Sequence, residues 1–347
     1  MTDPTTFDTT TTYLGFRLPH PVVPSAGPFT GAIDHLHRLV DAGAPMVVLP
    51  SLFEEQVEHE AMAIHRGLDQ SSGISPEAPE GYFPEMDGYN TGPEGYLELL
   101  GAAKDELDIP IVASLNGDSH GGWTLYARIL EDRGADALEL NIYHIASDPD
   151  ISGSAVESSY LRLVETVREA VDIPLAIKIG PYFSSMGAFA HRLTGAGADA
   201  LVLFNRFYQP DLELETLELK RELELSRSSD SLLSLRWIGM LYGRVDCQLA
   251  ATSGIHTAED AVKMLLVGAD VAMMTSALLL NGHEHLRTVA EGVRQWFVDH
   301  EYSSISQARG SASHANIADP SAFERANYMK TLIAYSSQWR DGSTSSV

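Results

Sequence analysis

Lysine is scarce in this chain: 347 residues hold Lys104, Lys178, Lys220, Lys263 and Lys330 and no others. Four stand in polar or amphipathic surroundings where a solvated amine needs no partner. Lys178 instead lies near the end of an apolar run, Pro174 to Ile179, that Gly180-Pro181 stops. An ammonium at the end of a buried strand is costly unless an anionic or hydrogen-bonding group meets it. It is either a cation aimed into a site or an amine whose stem snorkels to water.

Other apolar runs end in residues of one character. They are Ser25-Ala-Gly-Pro28, Pro50-Ser51, Ser114-Leu-Asn-Gly117, Glu139-Leu-Asn141, Asn205-Arg206, Thr252-Ser-Gly-Ile255 and Thr275-Ser276. These ends are rich in hydroxyls, amides and glycine and nearly free of carboxylates. They lack the His/Asp/Glu clustering of a metal hydrolase and the paired acids of a glycosidase, so no metal site is expected. They suit a neutral-to-anionic, hydrogen-bonding ligand such as a flavin ring system. Thr252 to Thr257 leads into a helix with a cap signal at Thr257-Ala-Glu-Asp260, and Thr275-Ser276 also precedes helical sequence. Ser253, Gly254, Thr275 and Ser276 can offer hydroxyls and backbone N–H groups to a phosphate.

The elements that carry these ends alternate regularly. Strands are expected at 22–26, 46–49, 111–115, 137–142, 175–179, 200–204, 247–252 and 271–275. Helical patterns fall at 32–42, 92–106, 122–133, 155–170, 185–195, 258–266 and 284–299. A cue recurs before strands: Asp41-Ala-Gly-Ala44, and Gly-Ala-Asp ending at Asp136, Asp199 and Asp270. Its glycine closes the preceding helix. Eight strands, nearly all followed by a helix, predict a parallel sheet closed as an eightfold β/α (TIM) barrel, in a single domain spanning 1–347. Two insertions, near 56–90 and 208–243, are expected over the carboxyl-terminal face, and a helical extension near 308–339 covers the barrel or pairs subunits.

The net charge of −25 gives nucleic-acid binding no electrostatic support. One cysteine, Cys247, excludes disulfide scaffolding and reads as a small core residue. The first twelve residues lack a basic n-region and an apolar h-region, and no apolar run reaches the length of a membrane span. A soluble, cytoplasmic protein is the expectation.

Taken in order, Glu139-Leu-Asn141, Ala176-Ile-Lys-Ile-Gly-Pro-Tyr-Phe183, Asn205, Thr252-Ser-Gly-Ile255, Gly268-Ala-Asp-Val271 and Thr275-Ser276 resemble the FMN-dependent dihydroorotate dehydrogenases. The likeness runs from about Tyr13 to Arg309. It implies a β/α barrel with FMN at its carboxyl end. Ala26 and Gly27 would then lie against the flavin, with Ser51 beside it. Ser114 and Asn141 would bond its pyrimidine part, and Lys178 would stand at the N1/O2 edge. Asn205 would face flavin and substrate, and Ser253, Gly254, Thr275 and Ser276 would hold the phosphate. Asn90 resembles the substrate-loop asparagine, and Asn141 would also touch substrate. The resemblance further implies a small-molecule substrate and an electron-transfer partner protein; a homodimer is the association expected if the C-terminal helix pairs subunits.

The sequence departs from that pattern in places that matter. Where the family carries Ser-Cys-Pro-Asn or a serine variant, this chain reads Ile142-Tyr-His-Ile-Ala146, which puts the catalytic base on His144, with Tyr143 a second proton donor. Pro50 replaces an expected lysine, and Thr275 a glycine. The implied activity is hydride transfer between a small carboxylate-bearing substrate other than dihydroorotate and flavin N5, with Arg206 supplying the missing cation. Two other readings stay open: a flavin-free phosphate-binding lyase or isomerase that uses Lys178 as a Schiff-base amine, and a non-catalytic flavin or electron-transfer subunit.

Overall fold

The structure, a computed structural model, describes residues 7–53, 56, 92–117, 123–206, 209–220, 223–324 and 327–340. In chain order its strands are β1 (Thr11–Tyr13), β2 (Phe16–Leu18), β3 (Val22–Pro24), β4 (Val47–Phe53), β5 (Ile111–Gly117), β6 (Ala137–Ile142), β7 (Leu175–Ile179), β8 (Ala200–Leu203), β9 (Asp211–Glu213), β10 (Glu218–Lys220), β11 (Gln248–Ala251) and β12 (Val271–Met274). Eight of them form one parallel sheet in the order β3-β12-β11-β8-β7-β6-β5-β4. The two ends of that row, β3 and β4, come together. Helices α1 (Ile33–Asp41), α2 (Gly92–Glu106), α3 (Trp123–Asp132), α4 (Gly153–Arg168), α5 (Met186–Gly195), α6 (Ser231–Leu241) and α7 (Ala258–Val267) fill the crossovers, and α8 (Ser276–Asn281) and α9 (His285–Asp299) follow the last strand. This is the expected eightfold β/α barrel.

Strand alternation divides the core in two. Outward residues such as Val22, Val47, Leu49, Leu138 and Leu140 pack against the helices. Inward residues are smaller, among them Ala137, Ala176, Ala200 and Ala250, and they pack with Tyr13, Leu14 and Leu18 of the β1–β2 hairpin. That hairpin plugs the barrel and was not foreseen. Its turn, Leu14-Gly15, has φ of 51° and 80°, the left-handed pair a two-residue hairpin loop of this hand requires. Three hydrogen bonds pin it: Thr11 Oγ1 to the Asp270 carbonyl at 2.9 Å, Leu14 N–H to Gln248 Oε1 at 2.5 Å, and Gln248 Nε2 to the Thr12 carbonyl at 2.7 Å.

The recurrent Gly-Ala-Asp cue does more than end helices. Gly134, Gly197 and Gly268 have φ of 98°, 107° and 124°, where only glycine sits without strain. The aspartate two residues on then ties down the start of the preceding strand. Asp136 Oδ2 accepts the Ile111 N–H at 2.7 Å and meets Lys104 Nζ at 2.6 Å. Asp199 Oδ2 accepts the Leu175 N–H at 2.8 Å and meets Arg168 Nη1 at 3.1 Å. Asp270 Oδ2 accepts the Leu249 N–H at 2.8 Å while its other oxygen pairs with Arg309.

Several boundaries differ from the sequence reading. β4 and β5 run on to Phe53 and Gly117, so Pro50-Ser51 and Asn116 lie inside strands rather than beyond their ends. The β4–β5 register shifts between Val48 and Ser51, around Pro50, which has no N–H to give the ladder. Within 208–243, β9 and β10 form an antiparallel ribbon, but α6 is an ordinary barrel helix, so only the part before Ser231 is additional. The C-terminal region holds a short helix, α10 (Ile305–Ala308), then a 3₁₀ turn at Pro320–Phe323 and α11 (Asn327–Arg340). Apart from Gln56, the insertion expected at 56–90 lies outside the described residues. Among the described residues no helix is long and apolar enough to cross a membrane.

Candidate active site

A cavity of about 720 Å³ opens where β3, β7, β8, β11 and β12 end, the face on which β/α barrels carry their sites. Nine residues singled out in the sequence line it: Ala26, Gly27, Lys178, Asn205, Arg206, Ser253, Gly254, Thr275 and Ser276. Its size falls within the ~300–1,000 Å³ typical of ligand pockets.

The strand register builds the floor. Asn141 on β6 stands beside Lys178 on β7, and Asn205, just past β8, donates from Nδ2 to Asn141 Oδ1 at 2.7 Å. Ser51 and Ser114 share a hydrogen bond at 2.8 Å on β4 and β5, and the Ser114 N–H donates to the Tyr96 hydroxyl at 2.9 Å. Ser51, Ser114 and Asn141 are buried and do not themselves line the cavity. The group that meets the Lys178 ammonium belongs to the protein: Glu139 Oε1, at 3.4 Å, on a side chain only 1% exposed. Glu139 sits one inward position before Asn141 on β6. Burial, with the Glu139 charge second in weight, pushes the Tyr13 hydroxyl well above the ordinary phenol range. Asn116, buried and in register with Asn141, is a further polar group that the sequence reading passed over.

Just past β11, Ser253 and Gly254 have φ of 70° and 81°. A Cβ on Gly254 would come within 2.5 Å of the Ser231 nitrogen and 2.7 Å of the Arg227 carbonyl, so this turn admits only glycine. A Cβ on Gly27 would meet the Thr275 methyl at 2.5 Å; the threonine standing where the family pattern has glycine is accommodated by the bare backbone opposite. The helix after this turn opens with the foreseen capping box: Thr257 Oγ1 accepts the Asp260 N–H at 3.3 Å, and Asp260 Oδ2 the Thr257 N–H at 3.0 Å. The strap 223–230 closes over this turn. Its Ser226 N–H donates to Ser276 Oγ at 3.2 Å, its Oγ accepts the Gly254 N–H at 3.3 Å, and His256 Nε2 lies 3.3 Å from that Oγ. Ser226 carried no signal in sequence, because it stands in a charged run without periodicity. Arg206 bonds the Glu224 carbonyl and approaches Asp230 Oδ2 at 3.8 Å, so its guanidinium braces the same strap.

Tyr143 and His144 follow β6 immediately and are half-buried, on the same barrel face but outside the residues lining this cavity. Asn90 lies outside the described residues. Cys247 is half-buried; burial pushes its thiol above the ordinary range, which makes it a poor nucleophile.

A barrel with a cavity at its carboxyl end is shared by many enzymes; comparison with known proteins narrows the class. A family model described as "Dihydroorotate dehydrogenase" matches residues 77–297. Similar proteins include the "Putative dihydroorotate dehydrogenase A (fumarate)" of Aeropyrum pernix, 28% identical over 234 residues that cover 65% of this chain and 75% of that one. The "Dihydroorotate dehydrogenase B (NAD(+)), catalytic subunit" of Methanothermobacter thermautotrophicus is 24% identical over 317 residues, 87% and 97% of the two chains. The protein of the same name from Pyrococcus furiosus is 26% identical over 309 residues, 86% and 96%. The chain belongs to the dihydroorotate dehydrogenase family, a family of oxidoreductases acting on CH–CH groups.

Proposed function

We propose that the chain is an FMN-dependent oxidoreductase in which a small, carboxylate-bearing substrate gives a hydride to flavin N5. The observation that carries this reading is the convergence of Lys178, Asn205, Ser253, Gly254, Thr275 and Ser276 on one cavity. An ammonium and a hydroxyl-lined, glycine-only turn facing one cavity are what a flat ring system with an anionic tail needs. Bound FMN would supply a two-electron acceptor for the substrate hydride. Ala26 and Gly27 would present bare backbone to the ring, and Lys178 would balance negative charge at the N1/O2 edge. Ser51, Ser114 and Asn141 would fix the pyrimidine side from β4, β5 and β6. Ser253, Gly254, Thr275 and Ser276, closed over by Ser226, would hold the phosphate.

On the substrate side, Asn90, Asn141 and Asn205 would orient the molecule, and His144, with Tyr143 second, would take the proton paired with the hydride. Pro50 offers no cation where the family pattern has lysine, and Arg206 is the nearest cation left to the cavity. These two positions favour a substrate other than dihydroorotate. The Schiff-base alternative has less support, because Lys178 Nζ is engaged by the buried Glu139 carboxylate at 3.4 Å. Relatives named as catalytic subunits make a partner protein that receives the electrons part of the proposal, as is a homodimer.

The test begins with the purified chain: a flavin visible spectrum, or stoichiometric uptake of added FMN, is expected, and Lys178→Ala should weaken retention or make the flavin harder to reduce. Folded material that stays colourless and takes up no FMN would overturn the cofactor assignment. Anaerobic mixing with dihydroorotate beside a panel of small saturated carboxylates then tests the substrate. Bleaching by another carboxylate is expected; rapid bleaching by dihydroorotate alone would remove the specificity part and leave the rest.

A further inference from the structure

Across the eight barrel strands only two charged residues occur, Glu139 on β6 and Lys178 on β7, and they are paired with each other. Both are largely shielded from water: the Glu139 and Lys178 side chains are 1% and 10% exposed. Lys178 lines the cavity whereas Glu139 does not, so the carboxylate lies behind the ammonium as seen from the ligand. Among the described residues Lys178 is the only ion-pair partner of Glu139. The neighbouring phenol oxygens of Tyr13 and Tyr96 add no cation, and the Tyr13 hydroxyl has no hydrogen-bond partner among the described residues. A lone buried charge pair is weak evidence for stability, since apolar replacements often serve the fold as well. Its placement, one member facing the cavity and one behind, gives it another use.

We propose that Glu139 is a positioning residue that fixes the Lys178 ammonium at the cavity floor and, by partly offsetting its charge, holds down the reduction potential of the bound flavin. The inference rests on the functional reading above. A cation beside the flavin's N1 edge favours the reduced, more negative ring, and a carboxylate within 3.4 Å of that cation weakens the preference. Glu139 acts through Lys178 and touches neither cofactor nor substrate.

The experiment measures the two-electron midpoint potential of the FMN-loaded chain against a reference dye under anaerobic conditions. It compares wild type with Glu139→Gln, Glu139→Asp and the double variant Glu139→Gln/Lys178→Met. Glu139→Gln keeps the volume and leaves Lys178 at the cavity. Its potential should rise by at least a tenfold change in the reduction equilibrium, about 30 mV for a two-electron couple. Glu139→Asp, which keeps the charge on a shorter arm, should fall between wild type and Glu139→Gln. The double variant, with both charges gone at similar volume, should fall below wild type. It and Glu139→Asp carry the test if Glu139→Gln does not fold. A Glu139→Gln potential equal to wild type, or a Glu139→Asp potential shifted as far as Glu139→Gln, would overturn the inference while leaving FMN binding intact. A wild-type chain that binds no FMN overturns the functional reading and this one with it.

Discussion

Single side chains decide most of the chemistry, and their legibility varied with how local their reason was. Lys178 stood out in sequence because an amine in an apolar run contradicts its surroundings, and the structure supplies the answer to that contradiction in Glu139. The carboxylate itself, two positions before Asn141, was read only as part of a motif. Its meaning appears when β6 and β7 are laid side by side, which sequence spacing does not do. Gly254 was legible as a turn, but the reason no other residue fits is backbone from 227–231, remote in sequence. His144 is the residue whose role most needs a direct test. As the proposed base, His144→Ala should lower kcat by about 10²–10⁴-fold and remove one limb of the pH–rate profile, with little change in FMN retention. Full activity with an unchanged profile would pass the role to Tyr143 or to water.

Elements were read well where periodicity and punctuation agreed and poorly where a partner strand set the end. The eight barrel strands were all anticipated, but β4 and β5 extend two to four residues further than the apolar runs suggest. Pairing with neighbours carries polar residues such as Ser51 and Asn116 inside the ladder. The Gly-Ala-Asp repeat was recognised for its glycine alone, whereas its aspartate staples each helix end to the strand before it. Asp270 is the most buried of these, with Arg309 and the Leu249 N–H both depending on it. Asp270→Ala should therefore cost about 2–3 kcal/mol of folding stability, seen as a lower urea midpoint with an unchanged slope. Asp270→Asn, which can still accept the N–H, should recover part of the loss. A cost within the error of an ordinary surface substitution would show the staple to be ornamental.

For the molecule as a whole, acid should be the sensitive direction. Burial holds His20 below the ordinary histidine range, and burial with the adjacent His35 does the same for His283. A histidine whose folded pKa is depressed binds fewer protons folded than unfolded, so stability is complete above the ordinary histidine pKa. It is lost as pH falls through that value toward the folded one. The acidic surface works the other way, since protonating carboxylates relieves self-repulsion in a chain of net charge −25. The informative quantity is thus the difference between proteins. Between pH 8 and pH 5, His20→Gln should lose less of its thermal midpoint than wild type does, and parallel curves would refute the assignment. The barrel was legible at this scale because strand–helix alternation is a local pattern repeated eight times. The plug was not, because β1 and β2 are three residues each and their partners lie at the far end of the chain.

That last contact carries a kinetic consequence. Thr11 and Leu14 are fastened to residues 259 and 234 positions away, and Asp8 bridges to Ser304. Such long loops can be cinched only after β11 and β12 are in place, and topologies dominated by distant partners mature slowly. The ring of strands is therefore expected to assemble with its axis still open, the cork seating last.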